Sequence, residues 1–94
     1  MAIRSFRHKG LKRLYDDGST RGVPAAIAPR LRDMLAAVDT ATAIENVALF
    51  PGWRLHRLKG SLAGYWSLTV SGNWRLVFRF VDGDAIDVDL VDYH

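Results

Sequence analysis

Residues 65–94 read YWSLTVSGNWRLVFRFVDGDAIDVDLVDYH, and this stretch contains three successive runs in which apolar and polar residues alternate. A period of two is typical of β-strands that have one buried and one solvent-exposed face. The runs are separated by Ser71–Asn73 and Asp82–Asp84, whose glycine, asparagine and aspartate residues favour the positive φ angles of hairpin turns. The stretch therefore predicts a meander of three antiparallel strands.

The apolar pattern also predicts the lengths of the two turns. A loop of three residues, 71–73, brings the apolar faces of the first two strands to the same side, whereas a two-residue loop separates them. The same argument predicts a three-residue loop at 82–84. The apolar pairs expected from this register are Val70–Trp74, Leu68–Leu76, Trp66–Phe78, Phe80–Ile86, Phe78–Val88 and Leu76–Leu90.

The polar face of the meander carries two arginines, Arg75 and Arg79. In the predicted register Arg79 lies opposite Asp87, which is a favourable cross-strand pair. Arg75 lies opposite Val91 rather than an acid, and we expect it to meet an anionic ligand. The same register places Asp92 opposite the first residue of the middle strand.

Composition limits the class of protein. The chain has 94 residues, of which 49% are hydrophobic, so we expect a single small domain over residues 1–94. The absence of cysteine excludes disulfides, thiol catalysis and cysteine-based zinc sites. No apolar run approaches the roughly 20 residues that span a bilayer, and the first residues lack the apolar core of a signal peptide. We therefore expect a cytoplasmic protein with no membrane partner.

Charge is distributed unevenly along the chain. Residues 1–60 contain 11 Lys and Arg against 5 Asp and Glu, whereas residues 61–94 contain 2 against 5. A basic first part suggests a polyanionic partner, nucleic acid first, although charge alone is equally consistent with an ordinary solvated surface. We assign the candidate contacts with RNA or the ribosome to four basic residues of this part: Lys9, Lys12, Arg13 and Arg57.

Two amphipathic helices are predicted before the sheet. The first has Leu11 and Leu14 on its apolar side, and Gly18 is placed to end it in a left-handed conformation. The second has apolar residues at helical spacing, namely Ile27, Leu31, Met34, Leu35 and Val38. Pro29 lacks an amide hydrogen, so either the regular helix starts near Ala28 or its first turn is bent.

Shorter segments complete the expected fold. Residues 3–6 are a candidate edge strand, residues 53–58 are a further strand candidate, and residues 42–45 have the spacing of a capping box. Two helices followed by an antiparallel sheet indicate an α+β fold. We expect the two N-terminal helices to pack on a small antiparallel sheet that ends in the three-strand meander.

Several polar residues suit the cleavage of RNA through its own 2′-hydroxyl. This reaction requires a base for the hydroxyl, a cation for the crowded phosphorane and an acid for the leaving 5′-oxygen. His56 and His94 suit the base and the acid, because an imidazole titrates near neutral pH. Lys59 and Arg75 suit the phosphate, and the arginine adds the option of bidentate contact.

The segment Asp92-Tyr93-His94 adds further groups to this set. Asp92 can orient a histidine, and Tyr93 can stack on a base or donate a proton. An α-carboxylate beside the imidazole of His94 favours the protonated ring, which suits the acid and leaves His56 as the base. The residues alone leave the opposite assignment of acid and base open.

Two other kinds of site are less consistent with the sequence. A metal site of His56, Asp92 and His94 is possible in composition, but no tight spacing such as HExxH supports it. A Ser-His-Asp hydrolase is disfavoured because no serine lies in a G-x-S-x-G turn. We therefore expect neither a metal ion nor another cofactor.

Five parts of the sequence resemble the HigB toxins of the RelE superfamily, nearly from end to end. They are Ile3–Lys12, Pro51–His56 with Leu58–Gly60, Gly64–Ser67, Gly72–Arg75 and Asp92–His94. The combination of Leu-His-x-Leu-Lys-Gly, Gly-Asn-Trp-Arg and Asp-Tyr-His is more specific than any one of these motifs alone. Pro29 in the second helix is a departure from the family that bears on local geometry.

The resemblance implies a compact RelE-type fold and a ribosome-dependent endoribonuclease that cuts mRNA in the decoding site without a metal. It also implies neutralisation by a HigA-like helix-turn-helix antitoxin, with operator DNA bound only through that antitoxin. By position, the active-site motif of the family falls on His56, Asp92, Tyr93 and His94, and its phosphate-facing basic positions fall on Lys59 and Arg75. The alternative is a degenerate toxin, which would bind a protein or nucleic acid without catalysis.

Overall fold

The computed structural model describes residues 1–92, which form three α-helices and one antiparallel sheet. The helices are α1 (Lys9–Asp17), α2 (Ala28–Thr40) and α3 (Ile44–Ala48), and the strands are β1 (His56–Arg57), β2 (Tyr65–Thr69), β3 (Trp74–Val81) and β4 (Asp84–Asp92). The strands lie in the order β1-β2-β3-β4. This architecture confirms the predicted α+β fold. No helix within residues 1–92 has the length and apolar character to cross a membrane.

Helix α1 begins and ends as local sequence dictates. Nδ1 of His8 accepts a hydrogen bond of 3.1 Å from the amide of Leu11 and so caps the first turn. Gly18 ends the helix with a φ of 77°, the left-handed conformation that was predicted. The helix also lies against the following loop, since a Cβ atom built on Gly10 would be only 2.0 Å from the carbonyl oxygen of Gly22.

Helix α2 resolves the ambiguity around Pro29. A short 3₁₀ turn covers Ala25–Ile27, and the regular helix starts at Ala28, with the proline in its first turn where no amide hydrogen bond is lost. The cap of helix α3 differs from the capping box predicted over residues 42–45. The amides of Thr42 and Ala43 both donate to the side-chain oxygen of Asn46, each at 3.0 Å, and the glutamate one position earlier is not the capping residue.

The core lies between the helices and one face of the sheet. The buried apolar side chains from both layers include Leu11, Leu14, Leu31, Met34, Val38, Val47, Leu68, Leu76, Phe78, Val88 and Leu90. Strands β2, β3 and β4 contribute alternate residues to this face, whereas both residues of β1 are exposed. The opposite face carries the polar residues of the meander.

The first hairpin has the predicted register. Trp66 pairs with Phe78 and Leu68 pairs with Leu76, while the amide of Val70 donates to the carbonyl of Trp74 at 2.9 Å. The expectation of positive φ angles in this turn was wrong, because the described residues with positive φ do not include any member of 71–73. The turn is held instead by hydrogen bonds from Nη1 of Arg75 to the carbonyl oxygens of Ser71 and Gly72.

The second hairpin differs from the prediction. Val81 pairs with Asp84, so the loop has two residues, Asp82 and Gly83, with φ angles of 52° and 84°. Two positive φ angles match the right-handed twist of a tight hairpin, and an Asp-Gly dipeptide favours them. The expected pair of Phe80 with Ile86 is therefore replaced by Phe80 with Ala85.

A bulge in β4 restores the predicted register beyond this turn. Asp87 and Val88 together oppose one residue of β3, and Asp87 has a φ of 52°. Leu76 then pairs with Leu90, as predicted. Arg79 lies opposite Ile86 rather than Asp87, but its Nη1 still reaches the Asp87 carboxylate at 3.4 Å.

The two strand candidates outside the meander are shorter than expected. Ile3 and Phe6 form isolated parallel bridges with Ala85 and Val88, so the N-terminal segment lies along the edge of β4. At the opposite edge only His56 and Arg57 of the expected 53–58 strand pair with β2. A 3₁₀ turn over residues 51–53 and a left-handed residue at 54 delay the start of that strand.

Candidate active site

Strand pairing brings two of the predicted catalytic residues to one face of the sheet. His56 of β1 pairs with Ser67 of β2, and Ser67 pairs with Val77 of β3. Arg75 lies two residues before Val77 and pairs with Thr69. Because paired and alternate residues point to the same side, His56 and Arg75 both lie on the face opposite the core. His94, the third residue of the predicted set of two histidines and one arginine, lies outside the described residues.

The backbone before β1 orients the imidazole of His56. Arg54 has a left-handed conformation with a φ of 51°, and its carbonyl oxygen lies 3.1 Å from Nδ1 of His56. A carbonyl oxygen only accepts hydrogen bonds, so this contact requires a proton on Nδ1. The neutral ring then has its lone pair on Nε2, the nitrogen that can accept a proton from a substrate.

An open groove of about 450 Å³ runs beside this histidine. It is lined by His56, Arg57, Leu58, Lys59, Ser61 and Leu62. The side chains of His56 and Lys59 are exposed there, so a basic nitrogen and an ammonium group share one concave surface. The volume lies within the range of small-molecule sites and is large enough for part of a nucleotide chain.

Arg57 points to the other side of the sheet from His56. Its guanidinium carbon lies 5.3 Å from the ring centroid of Trp66, the residue with which it pairs across the strands. This distance is typical of a cation–π contact, which fixes the arginine over the ring. Arg57 therefore lies at the rim of the groove and contributes positive charge from its edge.

Arg75 is half-buried and fastens the β2–β3 turn. Its Nη1 donates hydrogen bonds to the carbonyl oxygens of Ser71 at 2.9 Å, Gly72 at 3.1 Å and Trp74 at 3.1 Å. These bonds fix the position of the guanidinium on the outer face of the sheet. The structure thus gives Arg75 a role in the turn, in addition to the phosphate-facing role expected from the sequence.

Asp92 ends β4 and lies opposite Trp74, as predicted. Its Oδ1 accepts a hydrogen bond of 2.6 Å from Nδ2 of Asn73, in the β2–β3 turn. Asn73 is not among the predicted site residues, although the predicted register places its neighbour Trp74 across from Asp92. Tyr93 and His94 lie outside the described residues. Within residues 1–92, no three His, Cys, Asp or Glu side chains are grouped closely enough to hold a metal ion.

Arg7 and Tyr65 form a further polar contact that sequence reasoning missed. Nη1 of Arg7 donates a hydrogen bond of 3.1 Å to the hydroxyl of Tyr65, which is otherwise buried. The hydrogen bond, with the charge interaction of the same pair, raises the pKa of Arg7. The guanidinium of Arg7, in the N-terminal segment beside β4, therefore contacts β2 and adds a positive charge there.

The three basic residues of α1 do not reach the groove. Lys9, Lys12 and Arg13 are exposed, and Lys12 forms an ion pair with Asp16 on the same helix. Helix α1 packs against α2 and β4, whereas the groove borders β1 at the opposite edge of the sheet. These cations form a surface separate from the candidate active site.

Comparison with known proteins identifies the family. The family model described as "RelE-like toxin of type II toxin-antitoxin system HigB" matches residues 4–94. The chain is 50% identical over 92 residues to the endoribonuclease HigB of Proteus vulgaris, covering 98% of this chain and 99% of that protein. It is 36% identical over 86 residues to toxin HigB-1 of Vibrio cholerae, covering 90% of each chain.

Solved structures support the same fold. The Staphylococcus aureus YoeB–YefM complex contains a chain with a TM-score of 0.57 at 20% identity, covering 100% of this chain and 97% of that one. YafQ from Escherichia coli matches with a TM-score of 0.56 at 19% identity, covering 96% and 90%. The sheet that holds His56, Arg75 and Asp92, together with the match over residues 4–94, shows that the chain belongs to the HigB family of RelE-like type II toxins.

Proposed function

We propose that this toxin is an endoribonuclease that cleaves mRNA in the decoding site of the ribosome and thereby arrests translation. The name of its Proteus vulgaris relative supports the activity. The observation in this chain that carries the proposal is the contact of His56 Nδ1 with a backbone carbonyl. It leaves a basic nitrogen at a groove that also contains Lys59.

In the proposed reaction, Nε2 of His56 accepts the proton of the RNA 2′-hydroxyl as that oxygen attacks the adjacent phosphorus. The bond between phosphorus and the 5′-oxygen breaks, and His94 gives a proton to the leaving oxygen. Lys59 and Arg75 stabilise the negative charge of the phosphorane. The products are a 2′,3′-cyclic phosphate and a 5′-hydroxyl end, and no step requires a metal or a cofactor.

The anchoring of Arg75 suits this role. A cation that is already fixed before the substrate arrives does not have to reorganise as charge develops in the transition state. The carbonyls of the β2–β3 turn hold its Nη1 in this way. Asp92 and Tyr93 complete the proposed set, the first by orienting a histidine and the second by stacking on a base or donating a proton.

The basic residues that lie outside the groove are proposed to contact the ribosome. Lys9, Lys12 and Arg13 lie on a separate surface, so we propose that they contact ribosomal RNA rather than the cleaved nucleotide. Arg57 at the rim of the groove contacts the mRNA backbone beside the cut. The site of action is then the cytoplasm, where mRNA meets the ribosome.

A HigA-like helix-turn-helix antitoxin is the proposed protein partner, and operator DNA is contacted only through it. The family description places these toxins in type II toxin–antitoxin systems, and the structurally similar YoeB of Staphylococcus aureus was solved as a complex with YefM. The reading frame adjacent to the gene should encode this partner. Copurification of the two proteins, with operator binding by the pair and none by the toxin alone, tests the assignment.

Cleavage on programmed ribosomes tests the proposed activity. We expect the wild-type protein to cut bound mRNA and leave cyclic phosphate ends, in the presence of a chelator that removes transition metals but spares ribosomal Mg²⁺. Replacement of the base, His56→Ala, should lower the rate by about 10²- to 10⁴-fold. The control His8→Asn removes another histidine but keeps a capping side chain on α1, and its cleavage should equal wild type.

Growth arrest gives an independent test in cells. Expression without the antitoxin should halt translation, and His94→Ala should relieve the arrest because the leaving oxygen loses its acid. Equal toxicity from a folded His94→Ala protein removes that residue from the reaction. A folded wild-type protein that binds its antitoxin but cuts no mRNA would instead establish the alternative, a toxin-like module without catalysis.

A further inference from the structure

The β2–β3 turn makes one contact that the proposed reaction does not use. Nδ2 of Asn73 donates a hydrogen bond of 2.6 Å to Oδ1 of Asp92, and the two residues are 19 positions apart. The bond joins a turn between two strands to the last residue of β4. Hydrogen bonds to a carboxylate are about twice as strong as those between neutral groups. The contact therefore selects one orientation of the Asp92 side chain.

The turn that carries Asn73 is itself held in place. The amides of Val70 and Ser71 donate to the carbonyl of Trp74, at 2.9 Å and 3.4 Å. Nη1 of Arg75 donates to three carbonyls of the same segment. A side chain on a backbone fixed in this way loses less entropy when it binds, so it can orient a partner effectively.

The backbone does not demand asparagine at this position. Within residues 1–92, positive φ angles outside glycine occur at Arg54, Asp82 and Asp87, so Asn73 is not in the left-handed region that favours asparagine. Its side chain is exposed and does not fill the core. The amide is therefore explained by what it binds, the carboxylate of Asp92.

We propose that Asn73 is a positioning residue of the active site, which fixes the carboxylate of Asp92 in the orientation that the reaction needs. The inference rests on the proposed function, because that function places Asp92 among the catalytic groups. A carboxylate held in one orientation keeps a histidine in one rotamer and tautomer. Loss of the donor leaves Asp92 in place but removes the hydrogen bond that sets the position of Oδ1, so the effect falls on the chemical step.

A double-mutant cycle tests this assignment. Asn73→Asp keeps the shape of the side chain but replaces the donor with a repelling charge, and Asn73→Ala removes the group. Each is combined with Asp92→Ala and assayed by steady-state cleavage of mRNA on ribosomes, which gives kcat and KM separately. In the presence of Asp92 we expect Asn73→Asp to lower kcat by about 10- to 100-fold with little change in KM. In the Asp92→Ala background the same change should have almost no further effect.

The outcomes separate this inference from the proposed function. Wild-type protein without activity contradicts the proposed function. Active wild-type protein in which the two substitutions have additive effects, or in which Asn73→Asp mainly raises KM, overturns the positioning role and indicates a direct contact with RNA. The control Thr20→Asp adds the same charge on an exposed loop, and its cleavage should equal wild type.

A measurement without substrate keeps the inference testable when activity is too low for a cycle. The side-chain amide protons of Asn73 should move in nuclear magnetic resonance spectra as Asp92 is titrated with acid, and Asp92→Ala should abolish the movement. Amide signals that do not respond to this titration overturn the inference, whatever the outcome of the cleavage assays.

Discussion

The hydroxyl of Tyr15 donates a hydrogen bond of 2.8 Å to Oδ1 of Asp39, and the same oxygen accepts the amide of Ile3 at 3.1 Å. One carboxylate oxygen thus joins α1, α2 and the N-terminal segment beside β4. The bond to Asp39 is the largest cause of a raised pKa for Tyr15, and burial and the negative charge of Asp39 act in the same direction.

Replacing this tyrosine should weaken the fold in a pH-dependent way. We expect Tyr15→Phe to lower the free energy of unfolding at neutral pH by about 0.5–1 kcal/mol, a modest value because the residue is 38% exposed. A raised pKa means that the folded state favours protonated tyrosine. The contribution is therefore present below the ordinary pKa of tyrosine, about 10, and is lost as the pH rises through the folded value. Urea unfolding at neutral and alkaline pH measures both effects, and parallel pH dependences of the two proteins would contradict the assignment.

The close approach of Gly10 and Gly22 predicts a second change in stability. A methyl group on Gly10 would lie 2.0 Å from the carbonyl oxygen of Gly22, so one backbone segment has to move. We expect Gly10→Ala to destabilise the protein by about 1–3 kcal/mol, although alanine is the better helix former. Gly72→Ala is the control, because a Cβ there has no atom within 4 Å and the φ angle is not positive. It should change stability by less than about 0.5 kcal/mol in thermal or urea denaturation.

The two hairpins show what alternation can predict. The register of Leu68 with Leu76 follows from the apolar pattern, because any slip would turn an apolar set to solvent. The second turn was mispredicted because Asp82-Gly83 fits a tight turn with two positive φ angles. The bulge at Asp87 absorbs the extra residue without changing which face is buried. Alternation therefore predicts the buried face, but not the number of residues between turn and core.

The sequence allowed us to predict which residues form the candidate site, but not which side chains contact one another there. Strand pairing places His56 and Arg75 on one face, but the predicted register covered only residues 65–94 and left the pairing of His56 open. The bond of Asn73 to Asp92 depends on the reach of two side chains around a turn. The path of the N-terminal segment along β4 decides which residue reaches Tyr65. A local sequence pattern encodes neither of these tertiary relationships.

The two arginines of the polar face should differ in importance. Arg75→Lys keeps the charge, but lysine lacks the planar fork that binds a phosphate bidentately, and it cannot reproduce the bonds of Nη1 to the turn. We expect mRNA cleavage on ribosomes to fall by about 10- to 100-fold. Arg79→Lys should stay within about twofold of wild type, since lysine can keep the exposed pair with Asp87. Equal losses in the two variants would show that the assignment of the phosphate-binding arginine is wrong.

Two of the three histidines use Nδ1 in opposite ways. Nδ1 of His8 accepts the amide of Leu11 at 3.1 Å, so this nitrogen has no proton and Nε2 carries it. Nδ1 of His56 lies 3.1 Å from the carbonyl oxygen of Arg54, so this nitrogen carries the proton. The neutral rings are therefore expected as opposite tautomers within one molecule.

Long-range ¹⁵N–¹H correlation spectra of the folded protein, at a pH where both rings are neutral, measure this prediction directly. We expect a protonated Nε2 in His8 and a protonated Nδ1 in His56, and the first serves as an internal control for the second. Unfolding by urea should make the two patterns alike, because both are set by backbone contacts of the folded state. If folded His56 instead carries its proton on Nε2, that nitrogen cannot accept the proton of a 2′-hydroxyl. The role of base would then pass to His94, with His56 as the acid.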